Sequence, residues 1–113
     1  MVVLADRMGQ KQEPPKTYSE FKKRFPKLGQ AWDLTREASV EGPLDEQSLQ
    51  LIKLGISIGA MREGAVHSAV RKAVAAGIPR AAIEQVVALA ASTIGFPGTV
   101  AAYSWAKDVL DKE

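Results

Sequence analysis

Glu63-Gly64-Ala65-Val66-His67-Ser68-Ala69-Val70-Arg71-Lys72-Ala73-Val74-Ala75-Ala76-Gly77 is the stretch whose reading fixes the architecture. Val66, Ala69, Val70, Ala73 and Val74 recur at intervals that align them on one face of an α-helix. The spacing predicts a helix over Arg62 to Ala76, ended by Gly77, since glycine takes up the left-handed conformation after a last turn at little cost. Downstream, Pro79 opens a helix with Ile83, Val86, Val87, Ala90 and Ile94 on one side. The alanine content of these two helices suits a tight antiparallel pair around Gly77-Ile78-Pro79. Gly95-Phe96-Pro97-Gly98 then precedes a last helix, where Tyr103, Trp105 and Val109 are assigned to buried faces.

Upstream, a third segment starts near Leu44 and Asp45, a second starts at Pro26 and fades before Gly42-Pro43, and a first runs from Thr17 to Arg24. Trp32 in the second segment reads as core. Residues 1–16, ending in Glu13-Pro14-Pro15-Lys16, read as an arm or linker ahead of one domain over 17–113. No sustained alternation marks a strand, so six helices in an all-α, compact domain are expected. In the third segment Leu49, Leu51, Ile52, Leu54, Ile56 and Ile58 go most of the way round the helix. A helix apolar on several sides needs cover on several sides, and one small domain has few partners to offer, so self-association is expected.

Composition narrows the function. The chain has 113 residues, 46% of them hydrophobic and 25% charged, and no apolar run approaches the roughly 18 residues of a membrane span. With no cysteine it has no disulfide, zinc–thiolate site, iron–sulfur cluster or thiol chemistry. Its first residues lack a basic start and a long apolar stretch, so a cytoplasmic protein is expected rather than a secreted one. The net charge of +2 comes from the first part of the chain, because residues 44–113 carry seven positive and seven negative side chains. Lys22, Lys23, Arg24 and Lys27 read as a solvated helix face, with no aromatic-interleaved motif beside them, so no nucleic-acid partner is expected.

His67 is the only histidine and lies one helical turn after Glu63. A carboxylate beside an imidazole fixes its tautomer and makes it a candidate proton carrier. The same pair also reads as a half-buried histidine in an ordinary surface ion pair. Arg62 and Arg71 flank the pair as candidate binders of an anionic substrate, and each also reads as a solvated charge. One histidine cannot supply the two-histidine metal signature, and no glycine-rich phosphate loop or nucleophile elbow is present, so neither metal nor organic cofactor is expected.

The order of these residues carries a resemblance. Leu44 to Ile58, then Gly59-Ala60-Met61-Arg62-Glu63-Gly64-Ala65-Val66-His67 through Ala73, Ala75-Ala76-Gly77 and Ile83-Glu84, resembles the carboxymuconolactone decarboxylase family, which includes the alkylhydroperoxidase D-like proteins. Gly42-Pro43-Leu44-Asp45 and Gly95-Phe96-Pro97 are similar to it too, and the likeness covers about residues 17–112. It implies an all-helical subunit assembling as a homotrimer or homohexamer. The family's peroxidase branch has a Cys-x-x-Cys pair ahead of the histidine, and those positions are Ala60 and Glu63 here, so thiol-dependent peroxide reduction is not expected. The lactone decarboxylase branch has a glutamate four residues before the histidine, as Glu63 stands to His67. The resemblance thus implies cofactor-free acid/base chemistry, decarboxylation or a related lyase or isomerase step, on a small anionic substrate. A non-catalytic binding or scaffold member is the alternative. The acidic relay residue of the preceding helix falls on Gln50 or Ser48, neither of them acidic.

Overall fold

The computed structural model describes residues 15–112, so the expected arm lies almost wholly outside the described residues. These form six helices of nine residues or more and one single helical turn, with no strand among them. They are α1 (Lys16–Arg24), α2 (Pro26–Ser39), α3 (Glu46–Gly59), α4 (Glu63–Ala75), α5 (Arg80–Leu89), α6 (Ala91–Ile94) and α7 (Phe96–Leu110). None is long and apolar enough to cross a membrane. The chain divides into two compact units, one ending at Leu44 and one beginning at Asp45.

The first unit is a helical hairpin. Phe25 leaves α1 in a non-helical conformation, and Pro26 starts α2 where its missing N–H is no loss. The two helices close over Gly29, the only residue buried in either; a Cβ there would lie 3.3 Å from the Lys22 side chain. Lys22 bridges to Asp33 at 2.8 Å, and that hydrogen bond raises its pKa. Trp32 is 45% exposed and, with Tyr18, Phe21 and Leu28, borders an apolar hollow of about 290 Å³. It is not the core residue its spacing suggests, because a two-helix hairpin has no third element to bury it.

The second unit holds the core: Leu54 and Ile58 from α3, Val66, Ala69, Val70 and Ala73 from α4, Ile83 and Val87 from α5, and Ala102, Ala106, Val109 and Leu110 from α7. The expected α4 stripe is therefore the one that is buried. Helix α4 packs chiefly on α3 and α7 and only lightly on α5, so the tight α4–α5 pair expected from their alanines is not formed. Ala69 and Ala73 of α4 and Ala102 and Ala106 of α7 are buried in the same core, and α4 packs on α7 instead. Gly77 (φ +81°) makes the expected left-handed exit from α4. Helix α5 stops at Leu89, and Ile94 belongs to the separate turn α6, which Gly95 (φ +88°) closes ahead of α7. Tyr103 is 39% exposed, whereas Trp105 and Val109 pack in the core as expected.

Asp45 caps α3: its carboxylate accepts the Ser48 N–H at 2.7 Å, and this bond holds the carboxyl below its usual range. A lowered carboxyl pKa contributes stability that is complete above the unfolded value, 3.8, and is lost as pH falls through the folded value. Thermal unfolding of Asp45→Ala against the native chain should therefore show a lower Tm near neutrality and a gap that closes in strong acid. An equal gap at both ends of the titration would contradict the cap.

Candidate functional site

Between α3 and α4 the chain turns through Ala60-Met61-Arg62, with Met61 left-handed at φ +54°, a conformation costing a non-glycine residue about 1–2 kcal/mol. The Arg62 N–H, donating to the Ser57 carbonyl at 3.2 Å, closes the turn and sets where α4 begins. Glu63 stands in the first turn, an acidic side chain at the positive end of the helix dipole. His67 follows one turn later, next to the buried Val66, so its ring lies at the border of the core and is 25% exposed.

Across from it runs α7, held against α4 by Ala102, Ala106 and Val109. Asp108 precedes Val109, which places it at the edge of that contact. His67 Nε2 and Asp108 Oδ2 lie 2.9 Å apart. An ionised carboxylate only accepts, so the ring donates its Nε2 hydrogen and Nδ1 is the nitrogen left to work. The carboxylate that hydrogen-bonds His67 is thus Asp108 and not Glu63, which the one-turn spacing favours. Glu63 remains close: a ring nitrogen of His67 and one oxygen each of Glu63 and Asp108 all lie within 4.8 Å of one another. A histidine with two carboxylates in that reach is also a set of donors able to hold a metal ion.

The end of α7 is fixed from another side. Arg80 donates to Glu84 and Asp111, each at 2.9 Å, and these bonds raise its pKa. Asp111 is thereby engaged, leaving Asp108 to the imidazole. Of the two arginines singled out by sequence, Arg71 is half-buried on the α4 face that carries His67, one turn further on. Arg62 is exposed at the N-cap of α4, and five residues of helix turn it away from that face. Neither forms a salt bridge among the described residues.

Gln50 bonds to Glu46 at 2.7 Å, and the Ser48 N–H caps onto Asp45, so the helix before α4 offers the imidazole no acid from either position. Asp108, 41 residues along the chain, provides the carboxylate from α7 instead. The larger described hollow, about 550 Å³, is elsewhere: Leu51, Ile52 and Gly55 of α3 and Val86 and Leu89 of α5 are among its walls. Neither described hollow includes His67, Glu63 or Asp108.

The carboxymuconolactone decarboxylase family model matches residues 26–108, and the chain belongs to that family. No curated protein and no solved structure matches it. With no cysteine in the chain, a disulfide-based peroxidase cycle has no thiol to run on.

Proposed function

We propose that this protein is a cofactor-free acid/base catalyst of the decarboxylase type, acting on a small carboxylated or lactone substrate. The observation that carries this reading is the 2.9 Å contact between His67 and Asp108. In such a step the C–C bond to the carboxylate breaks, CO2 departs, and the electron pair left behind delocalises into an adjacent carbonyl before carbon takes a proton. His67 delivers that proton from Nδ1 while Asp108 accepts a hydrogen bond from Nε2, which orients the ring. Glu63 adds a second carboxylate beside the ring. Arg71 binds the substrate anion from the same helix face, and Arg62 offers a more distant positive charge at the start of α4.

The reading also includes assembly as a homotrimer or homohexamer. Ile52, Ile56 and Leu89 are 46%, 62% and 67% exposed at or beside the larger apolar hollow, a surface that isolated soluble subunits rarely leave open. An assembled neighbour would also supply walls that a site with exposed carboxylates on one subunit needs to exclude water.

The experiment is turnover: incubation of the protein with a panel of small lactones and carboxylates, following substrate loss and CO2 release. Protein-dependent consumption of at least one is expected. A second reading, a non-catalytic binding or scaffold member, has in its favour that Glu63 and Asp108 are both exposed. Absence of any turnover by the assembled protein would select it.

A further inference from the structure

We propose that Glu63, His67 and Asp108 form a binding site for a divalent transition-metal ion such as Zn2+. The three donors come from two helices whose separation is fixed by core packing: Glu63 and His67 one turn apart on α4, and Asp108 on α7. Ligands one turn apart on a helix share a face, so they approach one ion without backbone rearrangement. Bonds of about 2.0–2.1 Å to a tetrahedral ion put donor atoms about 3.3 Å apart. The 2.9 Å between His67 Nε2 and Asp108 Oδ2 and the 4.8 Å that bounds the whole set bracket that value.

The charges also fit. A neutral imidazole and two carboxylates sum to minus two, which a divalent cation cancels, and both carboxylates already stand at one ring. Nitrogen with oxygen donors suits zinc, cobalt, nickel or ferrous iron over calcium or magnesium, which favour oxygen alone. The ion takes the Nε2 lone pair of His67 in the tautomer whose ring hydrogen sits on Nδ1, so the imidazole stays neutral and no net proton is released. Three protein ligands leave coordination positions for water or an exogenous carboxylate, and the exposure of Glu63 and Asp108 leaves those positions open. The site stands on geometry and donor chemistry independent of any turnover. An ion there also takes the ring away from proton transfer, so zinc is expected to inhibit the acid/base step.

The test is zinc binding to the full chain by isothermal titration calorimetry after treatment with chelator, with Co2+ absorption as an optical report of nitrogen–oxygen coordination. Saturable binding at one ion per chain is expected, weakened at least tenfold by Asp108→Asn and by Glu63→Gln and abolished by His67→Gln. Glu84→Gln, which alters a carboxylate paired with Arg80, should bind as the native chain does. Circular dichroism of each variant separates lost ligation from lost folding; should His67→Gln unfold, the two carboxylate variants decide. No saturable zinc binding by the native chain, or binding that these substitutions leave unchanged, overturns the site. Because the readout is binding, its failure leaves the catalytic reading standing, and loss of that reading leaves the metal site standing.

Discussion

Replacing His67 with glutamine is expected to lower turnover of any substrate the protein consumes by about a hundredfold or more, the usual weight of a positioned general acid or base. Glutamine keeps the approximate volume and a hydrogen-bonding end group but cannot carry a proton between solution and substrate. The ring is 25% exposed at the rim of the core, so helix content and assembly should survive the change. Asp108→Asn should give a smaller loss in kcat. Asparagine can still meet the ring at 2.9 Å, yet its amide offers no charge to an imidazolium and can present N–H where an acceptor is required. Turnover unaltered in His67→Gln would remove the mechanism outright. An Asp108→Asn variant as active as the native chain would remove only the orienting role of that carboxylate.

The proposed self-association predicts that substituting Ile56 with glutamate gives single chains of 12.2 kDa where the native protein sediments as an oligomer, read by sedimentation equilibrium. Ile56 is 62% exposed, one turn beyond the half-exposed Ile52 on the same side of α3. Burying an isoleucine side chain is worth about 1.5–3 kcal/mol. Symmetry repeats any such contact in each subunit, so the change removes that gain several times over and adds a carboxylate that must be desolvated. Because Leu54 and Ile58 carry the core-facing side of α3, the isolated chain should remain folded. A native protein that sediments as a single chain would contradict self-association, and an Ile56→Glu assembly of native mass would place the contact elsewhere.

How much of this was legible in the sequence follows from which interactions are local. The α4 stripe, the Gly77 exit, the Asp45 start and Pro26 are decided within a turn or two of their own helix, and each is where its pattern puts it. Ile94 continues the α5 spacing, but the chain breaks at Leu89, so the pattern alone overran the helix. Trp32 and Tyr103 match helical stripes yet stay partly exposed, since periodicity identifies a face without supplying what covers it. Glu63 was visible because it is one turn from His67. Asp108 was not, because its approach depends on α7 lying against α4, a contact between residues 41 positions apart. The signal available was its place: an acid directly beside the buried Val109, where a helix face passes from core to solvent.

The most direct measurement is a titration of small carboxylates and lactones into the native protein, with the ring resonances of His67, its sole histidine, followed by NMR. The account predicts that at least one ligand shifts those resonances saturably, and that Arg71→Gln weakens the effect. A ring that no member of the panel perturbs would contradict the claim that His67 and Asp108 stand at a substrate site.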